Sequence, residues 1–172
     1  MKNYFLLGGL ILLTQISFSQ NITFKNFCDL RINSLAEVEE FLVAKGWTFD
    51  KSIEGNDSIM QKITYVYTTK STSPGIKERT FINYIGNEGQ FKRVSLLTFN
   101  RKLYDTILGQ CKTAKFQLIE TKLEGNNINK IYSNNDIIVE FYSKHIVDNN
   151  HTYEYYSIIL WDKSDYAGQV GY

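Results

Sequence analysis

The side chains in this chain that could do chemistry are few and scattered. Its two histidines, His145 and His151, stand on either side of Asp148-Asn149-Asn150, and its two cysteines, Cys28 and Cys111, lie far apart in the sequence. Histidines flanking a hairpin turn can face each other across a ladder and share a metal, but a complete site needs further ligands and a supporting shell of hydrogen bonds. No cluster supplies them, so the reading is two ordinary strand histidines and no metal. A Gly-x-Ser-x-Gly elbow, a phosphate-cradling Gly-rich loop and a His-Glu-x-x-His run are all missing. Accordingly no residue is assigned a catalytic role and no cofactor is implied. Glu37, Glu39 and Glu40 form an acidic group, which the positive end of a helix explains without a ligand.

The cysteines read as a structural pair. In an oxidising compartment Cys28 and Cys111 form a possible disulfide or remain two buried thiols. A bridge would close a loop of about half the chain, worth roughly 4 kcal/mol by loop entropy. The remaining chemistry is aromatic, with 12 Tyr, 11 Phe and an aromatic fraction of 15%. Tyr153 and Tyr155 point to one side of the last strand and Tyr156 to the other, while Tyr65, Tyr67, Tyr84, Tyr132 and Tyr142 lie in other strands, and some of these rings remain on the uncovered face. A helical layer covers one sheet face only, so Tyr65, Tyr67, Tyr153 and Tyr155 are the candidate binding residues of an uncovered face. The plainer alternative is that these rings simply suit a half-buried pleated surface.

The elements that would position these residues follow an export signal. Lys2, the apolar run Phe5 to Leu13 and Ser17-Phe18-Ser19 read as a secretory signal peptide over residues 1–19, which places the protein in the periplasm or outside the cell. The run is too short for a bilayer span, which takes roughly 20 apolar residues, and no transmembrane span is expected. Loss of Lys2 takes the formal charge of +1 to about zero. That balance argues against nucleic acid, whose binding draws on an excess of basic charge.

Residues 20–33 are a lead-in with Ile22, Phe24 and Phe27. Ser34-Leu35-Ala36-Glu37 is a capping box, and Leu35, Val38, Phe41 and Leu42 at helical spacing predict a helix over 35–45 closed by Gly46. From Trp47 the period becomes two, with Trp47, Phe49 and Ile53 on one face of a half-buried strand. Glu54-Gly55-Asn56-Asp57 turns it into a hairpin. Further strands are expected over 59–69, 77–85 and 91–99, and Asn100 caps a second helix carrying Tyr104, Ile107, Leu108, Cys111 and Ala114. Strands then follow over 116–123, 128–132, 137–146 and 153–161, with a turn at Glu124-Gly125-Asn126. Residues 166–172 are a tail without an assignment.

Ser95-Leu96-Leu97-Thr98-Phe99-Asn100-Arg101-Lys102 is echoed by Ser157-Ile158-Ile159-Leu160-Trp161-Asp162-Lys163-Ser164. With the recurring helix, aromatic-led strand and Glu-Gly-Asn turn, the echo predicts an α+β fold of two tandem units. Each unit is one helix plus a four-stranded antiparallel sheet, with the helices on one face. The first spans 20–100 with its lead-in and the second 101–172 with its tail. This tandem resembles in topology the secreted beta-lactamase inhibitor proteins, although the cysteines differ in number and placement. The resemblance implies a concave surface that grips a protein partner, and no contact residues carry over. The expectation is therefore an exported non-catalytic binding module that engages a protein partner through an aromatic-rich sheet face. The alternative is a small-ligand-binding or enzymatic domain with a pocket between the two units.

Overall fold

A computed structural model describes residues 22–56, 60–70, 77–86, 93–148 and 151–170. The expected signal peptide, the 71–75 connection and the 87–89 turn lie outside the described residues. Two helices come first, α1 (Phe24–Ile32) and α2 (Leu35–Ala44), followed by strands β1 (Thr48–Ile53), β2 (Gln61–Lys70), β3 (Lys77–Gly86) and β4 (Arg93–Thr98). The helix α3 (Arg101–Thr113) leads into β5 (Gln117–Glu124), β6 (Asn127–Ser133), β7 (Ile137–Asp148) and β8 (His151–Asp162), and α4 (Lys163–Val170) ends the described chain. All eight strands join one antiparallel sheet in the order β1-β2-β3-β4-β8-β7-β6-β5. Two consecutive meanders thus meet edge to edge at β4 and β8, where Leu96 stands opposite Ile158.

Local chemistry sets the helix ends. Ser34 Oγ accepts from the Glu37 amide and the Glu37 carboxylate accepts from the Ser34 amide at 2.7 Å, the reciprocal box expected from the sequence. Gly46 takes φ +82°, the left-handed geometry that closes α2, and its amide donates to the Val43 carbonyl. At α3 the Asn100 carboxamide oxygen accepts from Leu103 N–H at 3.0 Å. Residues 24–32, expected only as a lead-in, are helical because Thr23 and Asn26 build a second box, with Asn26 in place of the acidic residue.

One core draws on both halves of the chain. Phe24, Phe27 and Leu30 of α1, Val38 and Leu42 of α2, and Tyr104, Ile107 and Cys111 of α3 pack on the same sheet face. That face presents Ile63 and Tyr65 of β2, Ile82 and Tyr84 of β3, Val94 and Leu96 of β4, Ile158 and Leu160 of β8, and Val139 and Phe141 of β7. Tyr104 and Tyr132 each meet the Phe141 ring edge-on.

Three differences from the sequence reading have physical causes. The tail residues form α4, and this helix lies on the opposite face: Tyr166 packs on Ile131, Ile138 and Trp161, whose chain neighbours Tyr132, Val139 and Leu160 belong to the main core. The two expected helices, α2 and α3, share one face, and only the unexpected α4 lies on the other. Asp165, 5% exposed, forks onto Arg93, which also stacks on the Trp161 ring at 4.6 Å, so a desolvated ion pair fastens α4 to β4 and β8. Finally, β1 is an exposed edge rather than a half-buried strand. Phe49, opposite Tyr65, is 56% exposed at this edge, a bulge at Asp50 then turns Ile53, 49% exposed, to the face of Lys62, and Trp47, just before the strand, is buried.

Candidate functional site

The face not covered by α1, α2 and α3 is built by alternation. On β2 the residues between Ile63 and Tyr65 point away from the core, and the same holds on every strand. Val66, Phe81, Leu97, Ser157 and Tyr142 thereby fall in one row across β2, β3, β4, β8 and β7. The next row toward α4 is polar: Thr64 Oγ1 donates to Asn83 Oδ1 at 2.9 Å and Asn83 Nδ2 donates to Ser95 Oγ at 3.0 Å. Beyond it, Arg93, Trp161 and Ile138 are the row that α4 covers, and Trp161 Nε1 reaches Glu140 at 3.1 Å.

On the other side of the apolar row the surface becomes aromatic. The Tyr142 and Tyr155 rings lie 6.2 Å apart, Lys144 stands opposite Tyr155, and Tyr153 stands opposite Ile146. Tyr142 and Tyr155 are half-buried, whereas Tyr153 is 49% exposed. Val66, Phe81 and Leu97 are also half-buried, so an apolar stripe runs from β2 to β4, with Ser157 of β8 between it and the tyrosine patch on β7 and β8. The arrangement offers flat apolar area with phenolic hydrogen-bonding ends, which suits a macromolecular surface.

The four candidate tyrosines are divided between the faces. Tyr153 and Tyr155 lie on the open one. Tyr65 is 2% exposed and faces the helices, and Tyr67 packs beside Trp47 with ring centroids 5.6 Å apart. Alternation within each strand is readable from the sequence, but which parity the helices cover is not. Tyr142 is one of the strand tyrosines that the open face retains, whereas Phe81, Val66 and Leu97 are surface residues that the sequence reading does not single out. Their one available signal is cross-strand register, which a single strand does not reveal.

The histidines do not face each other: His145 stands opposite Glu154 and His151 opposite Asp148. Glu154 is instead the centre of a group on the helix-covered face, accepting from the Tyr156 hydroxyl, with His145 Nε2 2.9 Å and Arg101 Nη1 3.9 Å from its carboxylate. Burial first, and then the hydrogen bond and charge of Glu154, push the Tyr156 phenol up to about 12. Burial raises Tyr104 as well. Both stay protonated near neutrality, so Tyr156 donates to Glu154 rather than serving as a base.

Cys28 and Cys111 are free thiols on α1 and α3, helices that the Phe24 amide ties together by donating to Gln110 Oε1 at 2.7 Å. Burial raises Cys28 to about 11 and Cys111 to about 12, with the neighbouring Cys28 a further cause for Cys111. Thiols shifted in this direction are poor nucleophiles. Among the described residues no group of His, Cys, Asp and Glu is placed to hold a metal, and no helix is long and apolar enough to cross a membrane.

Three hollows have definite linings, among them one of about 380 Å³ beside Ile22, Thr106 and Gln110. One, beside Trp47, Tyr67, Thr80 and Thr98, holds about 20 Å³, the room of a single water. A wider, open one of about 530 Å³ lies between Lys115, Asn134, Asp136 and Lys163. Compared with known proteins, the chain matches no family model, no curated protein and no solved structure.

Proposed function

We propose that this protein is an exported, non-catalytic binding module that engages a protein partner through the open sheet face, with Tyr142, Tyr153 and Tyr155 as its aromatic anchors. The observation that carries the reading is that Val66, Phe81 and Leu97 share with that tyrosine patch one face, which the first three helices leave open. Tyr buries large area at a small entropic cost and is enriched at interfaces. The near-neutral charge favours a protein over nucleic acid. Export rests on the leader expected at residues 1–19 from the sequence.

A tandem origin belongs to the same proposal. In the echo of residues 95–102 by 157–164, Leu96 corresponds to Ile158, and those two residues are cross-strand partners in the sheet. A twofold relation between two units would put corresponding residues opposite each other at its axis.

The test is capture on the immobilised protein from an exported fraction, followed by a photo-crosslinker placed at Tyr142. A retained protein that crosslinks there, and that Tyr142→Ala with Tyr155→Ala releases while Lys130→Ala does not, supports the reading. Binding that survives the double substitution would sink it.

A further inference from the structure

The sheet ends on one side in β5, which has no strand beyond it among the described residues. An edge of this kind is a template for pairing, and proteins that stay monomeric usually blunt it. One side of it is apolar: Leu123 is 73% and Leu118 53% exposed, and Ile128 of β6, opposite Leu123, is 38% exposed. Register places these three on one face, since Leu118 stands opposite Tyr132 and Leu123 opposite Ile128. Glu120 and Lys122 lie on the other face, opposite Ile131 and Asn129, with 3.2 Å between their charged groups. Ile119 is the extra residue of a bulge, and from Glu120 to Glu124 the ladder is uninterrupted.

We infer that β5 is the contact between two copies of this chain, paired antiparallel about a twofold axis at Thr121, so that the two sheets continue into one. The strand is complementary to itself in this register. Thr121 meets its own copy, Glu120 meets Lys122 of the second chain and Lys122 meets its Glu120. Leu118 meets Leu123 on the helix-bearing face if the second strand passes the bulge as β6 does. Opposed residues in an antiparallel pair share a face, so these matches put charge against charge on one side and leucine against leucine on the other. Other centres fit worse. An axis at Lys122 sets lysine against lysine and Glu120 against Glu124. An axis at Leu123 runs out at once into the Gly125 turn, where φ is +61°. The opposite edge, β1, is broken near its middle by Asp50 and leaves only three regular residues beyond the bulge. A twofold pairing of identical strands closes on itself and yields a dimer rather than a filament.

Sedimentation equilibrium of the purified protein tests this, with far-ultraviolet circular dichroism to establish that each variant is folded. The protein should sediment as a dimer in concentration-dependent exchange with monomer. Lys122→Glu, which sets glutamate against glutamate twice, should weaken the dimer about tenfold or more, and Glu120→Lys should do the same. The exchanged double variant Glu120→Lys/Lys122→Glu should restore it, because the pairs re-form with signs reversed. Leu123→Lys should leave a folded monomer. Sedimentation as a monomer at every concentration overturns the proposal, as does a dimer indifferent to Lys122→Glu. A folded double variant that fails to dimerise overturns the register, and open-ended polymer overturns the twofold.

Discussion

The two faces of the sheet are made by the same strands, yet they differ in what a tyrosine does there. On the helix-bearing face Tyr65, Tyr104, Tyr132 and Tyr156 are each less than a tenth exposed, and their rings meet Phe49, Phe141 and one another. On the open face Tyr142 and Tyr155 pair with each other and keep access to solvent, while α4 shields only the end where Trp161 and Ile138 lie. Residue type therefore does not separate a core tyrosine from a surface one. What separates them is strand parity combined with where the helices dock.

The comparison can be broken most forcefully from the covered side. Phe141→Ala removes a ring that is 0% exposed and is wedged between Tyr104 and Tyr132. It should cost about 3–5 kcal/mol, read from the midpoint of urea unfolding. Next comes the fastening of α4. Arg93→Met leaves the Asp165 carboxylate desolvated without its partner, so a loss of about 3 kcal/mol is expected. Increased amide exchange confined at first to residues 163–170 would identify α4 as the element released. On the open face Tyr155→Ala should cost less than about 1 kcal/mol while abolishing partner capture. A stability loss as large as that of Phe141→Ala would show that the two faces are alike after all.

Two smaller effects sharpen the contrast through ionisation. Tyr156 is raised from 10.0 to about 12 in the folded chain. Its contribution is complete below the unfolded value and is lost as pH rises through the folded one, so stability should decline between pH 10 and 12. Tyr156→Phe should flatten that part of an alkaline unfolding profile. The thiols move in the same direction, to about 11 for Cys28 and about 12 for Cys111. Near pH 8 both should react with a disulfide reagent far more slowly than an exposed cysteine, and unfolding should abolish the difference.

Features governed by near neighbours in the chain are legible in the sequence itself. The box at Ser34 and Glu37, the cap at Asn100, the left-handed Gly46 and the turn at Gly125 are each settled by side-chain and backbone chemistry within a few residues. α1 is hard to read because an Asn stands where the capping pattern calls for an acidic or Gln residue, and its apolar residues look like a cluster without a period. α4 is hidden because its order depends on Arg93, some seventy residues away, and on Trp161. The bulge at Asp50 belongs to the same class, since only pairing with β2 reveals the extra residue.

The candidate surface divides along the same line. Alternation alone puts Tyr153 and Tyr155 together and sets Tyr156 apart, because period two is a property of one strand. That Tyr142 joins them, that Tyr65 turns inward and that Val66, Phe81 and Leu97 lie on the same face as the patch depends on register across five strands and on the docking of three helices. By itself the sequence determined strands, turns, caps and an α+β composition, all consequences of short-range sterics and hydrogen bonding. The tertiary structure alone decided that the meanders meet at β4 and β8, which parity is buried and which strand is left at the edge, because each depends on contacts between residues far apart in the chain.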